Sequence, residues 1–289
     1  MSRWVAGVAL AAALVGPGIT AQSRYPVRRE ETVSRTLGVG GGRRLEVSTT
    51  SGSIRVSGYD GDAVEVAVRR TVWGETPADA DAAESAVGLE MAETADAVRL
   101  LGHVETHAGC DWKTITRRRS LTQYHVAFDF DVRVPRGMRL RLCTVNGGEV
   151  QVAGTSGDFD IDNVNGAITL TGISGSGRAA TVNGAVSVVF AENPKSASAF
   201  KSVNGDLDVI FQRNLAADLL MKTFNGGLFT DFDVTPLATP TAAVERRGGM
   251  SVYRGSRFSG FRIGGGGPEV RLDAFNGNIR VVGGVGRLF

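Results

Sequence analysis

A four-residue phrase ending in Asn-Gly recurs through the second half of the chain and constrains its fold more than any other feature. It reads Thr144-Val145-Asn146-Gly147, Asn163-Val164-Asn165-Gly166, Thr181-Val182-Asn183-Gly184, Ser202-Val203-Asn204-Gly205 and Thr223-Phe224-Asn225-Gly226. A sixth copy, Ala274-Phe275-Asn276-Gly277, stands near the C-terminus. From Asn146 to Asn225 the intervals are 19, 18, 21 and 21 residues. A recurring period of this length is the signature of a stacked repeat, with each unit packing on its neighbours.

The residues after each phrase keep one register. Ile168 and Leu170 follow Asn165 at plus three and plus five, as Val186 and Val188 follow Asn183 and Leu207 and Val209 follow Asn204. Alternation of this kind marks half-buried strands, and Asn and Gly both tolerate the positive φ of a sharp corner. After Asn146 the apolar residues Val150 and Val152 come one place late, which predicts an extra residue at Gly147-Gly148. A weaker half-period places Ser156-Gly157 and Ser174-Gly175 nine residues before Asn165 and Asn183. Each repeat then has two arms and a corner. The reading is an all-β, single-domain β-solenoid, with the Asn side chains bonded along the stack. A hairpin meander or sandwich built on the same turns is the alternative.

The rest of the chain starts and closes this ladder. Residues 1–21 read as an export signal: Arg3, an apolar run over 4–15, and Ile19-Thr20-Ala21 as a cleavage site. That run is too short to span a membrane, and no later stretch is long enough. Residues 22–37 form a lead-in, with a first strand over 31–37, and the solenoid domain occupies 38–289. Alternating residues Ile54 and Val56, then Val64, Val66 and Val68, predict early strands after Ser51-Gly52. One helix is expected over 77–87, with Thr76 as cap, Pro77 in its first turn and Gly88 as its stop. Strands over 89–93, 97–101 and 124–134 follow. Segments 102–122 and 231–268 are irregular loops, although Val252, Phe258, Phe261 and Ile263 point to strands inside the second. Asn276-Gly277 is expected to close the array.

A formal charge of +2, falling to about +1 once Arg3 leaves with the signal, gives no argument for nucleic acid as a partner. Two cysteines, Cys110 and Cys143, in an exported chain favour a disulfide over free thiols. It would close a loop of about 30 residues and contribute roughly 3–4 kcal/mol.

The Val-Asn-Gly rungs, the glycine-rich run ending in Gly264-Gly265-Gly266-Gly267-Pro268 and the closing Phe-Asn-Gly-Asn-Ile-Arg-Val resemble the bacterial "putative adhesin" domain of unknown function. The resemblance covers roughly 38–282. It implies an exported or envelope-associated β-solenoid-like domain, and it supplies no catalytic residues.

Four other patterns bear on chemistry. His103, His107, Cys110 and Asp111 are metal-ligand types in one loop, but their spacing matches no strong zinc or copper signature. Asp158, Asp160 and Asp162, and later Asp206 and Asp208, alternate on the face opposite the apolar residues. Such rows could hold calcium or act on a polysaccharide; a solvated outer face is the simpler reading. The glycine run over 264–267 is followed by Pro and a strand rather than a helix, so it reads as a strand-to-strand crossing and not a phosphate loop. Gly175-Ser176-Gly177 is a turn and not a nucleophile elbow. No metal, cofactor or catalytic residue is assigned. The resulting expectation is a non-enzymatic exported binding or structural module of the cell envelope, with an envelope protein or glycan as partner. A polysaccharide-active enzyme using Asp158, Asp160, Asp206 or Asp208 is one alternative. A solenoid that self-associates end to end is another, with the helix and Arg287-Leu288-Phe289 as possible caps.

Overall fold

The structure is a computed structural model and describes residues 25–38, 43–104, 123–237, 243–247, 250–254 and 258–284. The expected export signal over 1–21, the segment 105–122 with His107, Cys110 and Asp111, and Arg287-Leu288-Phe289 lie outside the described residues. Strands β1 (Val27–Gly38), β2 (Arg44–Ser51), β3 (Ile54–Tyr59) and β4 (Ala63–Gly74) lead to helix α1 (Pro77–Ala86). Strands β5 (Val87–Glu93), β6 (Ala97–Val104) and β7 (Tyr124–Pro135) follow. The repeats then supply strands in pairs, one before and one after each Asn-Gly: β8 (Arg139–Asn146) and β9 (Val150–Ala153), β10 (Phe159–Asn165) and β11 (Ile168–Ile173), β12 (Gly177–Asn183) and β13 (Val186–Phe190). The series continues with β14 (Ser198–Asn204) and β15 (Leu207–Phe211), then β16 (Ala217–Asn225) and β17 (Leu228–Thr230). After these come β18 (Val234–Leu237), β19 (Ala243–Arg247), β20 (Met250–Arg254) and β21 (Ser259–Ile263), and a last pair, β22 (Glu269–Asn276) and β23 (Ile279–Gly283).

Among the described residues the protein is predominantly β, with two large mixed sheets, a separate β19–β20 pair and no closed barrel. The first sheet has the order β1-β4-β7-β3-β9-β11-β13-β15-β23-β17, and the second β18-β21-β16-β22-β14-β12-β10-β8-β2-β6-β5. The arm before each Asn lies in the second sheet and the arm after it in the first, so each repeat forms one rung across both. Rungs pair in parallel and in register, with Asn146, Asn165, Asn183 and Asn204 aligned. Antiparallel strands flank the parallel region: β4 and β1 in the first sheet, β5 and β21–β18 at either end of the second. The inward apolar residues of both sheets form one core cluster. Gly177 and Ala179 are small members of their rows, and the rings of Phe159 and Phe200 meet beside them with centroids 6.5 Å apart.

The corners show why the phrase ends in glycine, and positive φ is the lesser part. A Cβ on Gly166 would sit 2.0 Å from the Gly148 carbonyl oxygen; on Gly184, 2.4 Å from that of Gly166; on Gly205, 2.1 Å from that of Gly184. The glycines therefore stack backbone on backbone, closer than any side chain permits. The extra residue near Asn146 is Gly147, at φ +67° with open space around it, and Gly148 takes the stacking place. Val150 returns to register opposite Ile168. One residue before the aliphatic or aromatic position, a polar side chain ties all corners but that of Ala274 to a neighbour: Thr144, Thr181 and Ser202, which are buried, and the half-buried Thr223 donate to glycine carbonyls at 2.8–2.9 Å. Asn163 does the same through Nδ2, but its buried Oδ1 has no partner. Asn163→Thr is expected to stabilise the fold by about 1 kcal/mol, because it removes an orphaned acceptor and keeps the donor; a chemical-denaturation midpoint at or below wild type would contradict this.

Four expectations are corrected. The lead-in 22–37 is not outside the domain: Val27–Gly38 pairs with β4 over its full length. It is polar because it is an edge strand, held by backbone bonds and by ion pairs such as Arg70–Glu31 at 2.7 Å, so it needs no apolar alternation. The helix ends at Ala86, and Gly88, expected as its stop, lies inside β5, which begins at Val87. Its capping box, with Thr76 Oγ1 accepting from the Asp79 amide, is as expected. Segment 231–268 is no irregular loop, since it carries β18 to β21. Finally, Asn276-Gly277 does not close the array. Strand β22 inserts between β14 and β16, and β23 between β15 and β17.

Candidate binding surface

Strand alternation turns the first residue of each phrase inward, buried in every copy except the half-buried Thr223, and turns the next residue outward. In stacking order that outward row is Val145, Val164, Val182, Val203, Phe275 and Phe224. Val182 is 38% exposed, Phe275 49% and Phe224 59%. The Phe275 and Phe224 rings stack with centroids 4.9 Å apart and planes 3° from parallel. Parallel pairing of adjacent strands sets that separation. Across the bend, Phe229 on β17 is 52% exposed and its ring lies over Gly227, where a Cβ would meet it at 2.6 Å. Three of the four exposed large apolar side chains among the described residues thus surround one corner.

Beside this row runs the asparagine ladder. Asn165 Nδ2 donates to Asn146 Oδ1 at 3.2 Å, Asn183 to Asn165 at 2.7 Å, Asn204 to Asn183 at 2.8 Å, Asn276 to Asn204 at 2.8 Å and Asn225 to Asn276 at 2.7 Å. All twelve residues marked as corners (Asn146, Gly147, Asn165, Gly166, Asn183, Gly184, Asn204, Gly205, Asn225, Gly226, Asn276 and Gly277) lie at the bend between the two sheets. Phe224 and Phe275 stand one residue away. The sequence carries one signal for this surface, the change from Val to Phe in two of six copies.

The carboxylates form no common site. Asp160 and Asp162 precede their corner and lie in the second sheet; Asp208 follows its corner and lies in the first. Asp160 is bridged by Arg141 at 3.1 Å and Arg178 at 3.2 Å, and Arg178 also bonds Asp162 at 2.7 Å. The hydrogen bonds Arg178 donates to Asp162, and then to Asp160, raise its pKa above the ordinary value. Asp158 accepts from the Ser176 amide, Asp206 from the Asn278 amide, and Asp208 pairs with Arg280 at 2.8 Å. Their work is to tie rungs together. An open depression of about 530 Å³ lies over the start of these strands, lined by Arg44, Arg139, Arg141, Asp158, Asp160 and Ser176 among others.

Gly264 and Gly266 take φ of +58° and +76° in the crossing from β21 to β22, a strand-to-strand turn as expected. Cys143 is buried on β8 and is not a free thiol; Cys110 lies outside the described residues. Among the described residues no group of three or more His, Cys, Asp or Glu could hold a metal, and no helix is long and apolar enough to cross a membrane.

No family model matches the chain, and no curated protein matches it. Among solved structures it is similar to a "putative cell adhesion protein" from Clostridium sporogenes, with a TM-score of 0.42 and 9% identity over 89% of this chain and 100% of that one. It is also similar to a "putative adhesin" from Bacteroides fragilis, with a TM-score of 0.36 and 10% identity over 87% of this chain and 96% of that one.

Proposed function

We propose that this chain is an exported, non-enzymatic binding module of the cell envelope, an adhesin-like β-solenoid that takes its partner at the corner formed by Phe224, Phe229 and Phe275. The observation that carries this reading is three half-exposed phenylalanine rings on a backbone held rigid by the stacked glycines and asparagines. Solvent-exposed aromatic carbon of this kind is unfavourable unless a partner covers it, and pre-ordered rings lose little entropy when it does. The neighbouring Asn amides supply polar contacts, which suits an envelope protein or a glycan. The test is binding of the mature chain to envelope fractions, peptidoglycan and surface glycans, with Phe224→Ser/Phe275→Ser as the comparison. Affinity is expected to fall about tenfold or more, corresponding to roughly 1.4 kcal/mol, with the melting temperature nearly unchanged. No binding by wild type, or equal binding by the variant, would overturn the reading.

The open depression at Asp158 and Asp160 favours a second reading, a glycan-active site. Glycan turnover that survives in Asp158→Ala and Asp160→Ala, or no turnover on a glycan panel, removes it.

Export is coupled to the cysteines. We infer that Cys143 pairs with Cys110, the other cysteine of the chain. Alkylation of protein from its native cell is expected to label no thiol before reduction and two afterwards; two reactive thiols in the unreduced protein would refute both the bond and the oxidising compartment.

A further inference from the structure

Strand order follows chain order through the Asn-Gly rungs except at one place. Strands β14 and β15 are not bonded to β16 and β17, the next rung in sequence. Between them lies a slot one rung wide, filled by β22 and β23 from the C-terminal end. Val270 stands between Ser198 and Leu219, Asn276 between Asn204 and Asn225, and Ile279 between Leu207 and Leu228. Every bonded partner of this rung comes earlier in the chain.

The slot specifies its occupant closely. A Cβ at residue 277 would sit 2.2 Å from the Gly205 carbonyl oxygen, and one on Gly226 would sit 2.1 Å from that of Gly277. The occupant's corner must therefore be glycine. Asn276 relays the amide ladder on both sides. The Asn278 amide donates to Asp206 at 2.8 Å, and Asn278 Oδ1 accepts from the Gly227 amide at 3.0 Å. On the outer face Asp273 pairs with Lys222 of β16 at 3.4 Å, and Arg280 with Asp208 of β15 at 2.8 Å. The inward Val270, Leu272, Ile279 and Val281 are fully buried. The segment with this set of groups in this register is 269–283 itself.

The link that delivers it is short and rich in glycine. Strand β21 lies on one side of β16 and β22 on the other, so residues 264–268 cross the start of β16. That crossing holds Gly264 and Gly266 at left-handed φ. Four glycines in a row extend without steric cost, and five extended residues span about 17 Å.

We propose that the slot is an exchange site for a second copy of this chain: two molecules swap residues 269–283 and form a reciprocal dimer. Every contact of the rung is then remade in the partner, so only the hinge and the cost of association separate the two states. This differs from end-to-end stacking, because no open rung at either end is used, and it does not depend on the aromatic corner being a binding site.

Full-length protein made with heavy and light nitrogen is mixed one to one, unfolded, and refolded at a series of concentrations. Monomer and dimer are separated, and a zero-length carbodiimide links Lys222 to Asp273, which face each other across the slot. In the dimer about half of the linked peptides are expected to carry one heavy and one light partner, the statistical value for reciprocal exchange; in the monomer every linked peptide carries a single label. Gly266→Ala strains the closed hinge and is expected to raise the dimer fraction roughly five-fold. A chain that stays monomeric at every concentration overturns the proposal, as does a dimer whose linked peptides are all single-label.

Discussion

Gly205→Ala is expected to destabilise the protein by roughly 3 kcal/mol or more, a large effect for the addition of one methyl group. The new Cβ would lie 2.1 Å from the Gly184 carbonyl oxygen, 2.4 Å from its carbon and 2.9 Å from the Ala185 amide nitrogen. All three are backbone atoms held in the sheet ladder, so no side chain can swing aside. Two rungs must separate, and the Ser202 hydroxyl bond to Gly184 and the Asn204 bond to Asn183 are strained with them. Two glycines calibrate the result. At Gly147 the left-handed φ of +67° is the only obstacle, and alanine should cost about 1–2 kcal/mol. At Gly265 there is neither positive φ nor a neighbour within 4 Å, and alanine should be close to neutral. A Gly205→Ala midpoint no lower than that of Gly147→Ala would show that the corners are held by conformation alone rather than by axial contact.

Ending the chain after Pro268 is expected to unfold the residues from 217 onward while leaving the earlier rungs intact. The lost segment buries Val270, Leu272, Ile279 and Val281 completely. At about 1.5–3 kcal/mol each they account for roughly 6–12 kcal/mol, comparable with the whole stability of a typical domain. The damage should stay local, because a stacked array holds together through nearest neighbours. Strands β16 and β17 reach β14 and β15 only through the inserted rung, whereas β8, β10, β12 and β14 bond one another directly. Hydrogen exchange should therefore show protection lost over 217–237 and kept over 139–190. Uniform loss across both, or protection retained in both, would contradict this account of the coupling.

The period of the phrase made the rungs legible from sequence, because register, corner and buried residue all repeat. Ile168, Val186 and Leu207 stack as their common offset from Asn requires. The displaced Val150 was legible for the same reason, as an interruption of a pattern. What sequence did not reveal is non-local. The polar β1 is a strand only because β4 offers an edge. The last rung looks like a sixth copy in line, and nothing in its own residues says that it enters between the fourth and the fifth. The acidic residues on either side of different corners look like one row until the chain bends and sends Asp160 and Asp208 to different sheets. The exposed aromatics are hidden for another reason: alternation shows which side of a strand a residue is on, and not that the Phe229 ring lies back over Gly227.

The asparagine ladder has a polarity. Each amide gives its N–H toward the Asn146 end and takes one from the Asn225 end, so the five bonds point one way and polarise each other. The row behaves as a line of head-to-tail dipoles lying along the stack, with its electron-rich terminus at Asn225. Among the described residues no donor reaches the Asn225 Oδ1. The corner that bares the most carbon thus ends in a carbonyl oxygen whose acceptor strength is reinforced by the amides behind it. A molecule that lays an apolar face on Phe224 and turns a hydroxyl, amide or ammonium hydrogen toward Asn225 meets both properties at once.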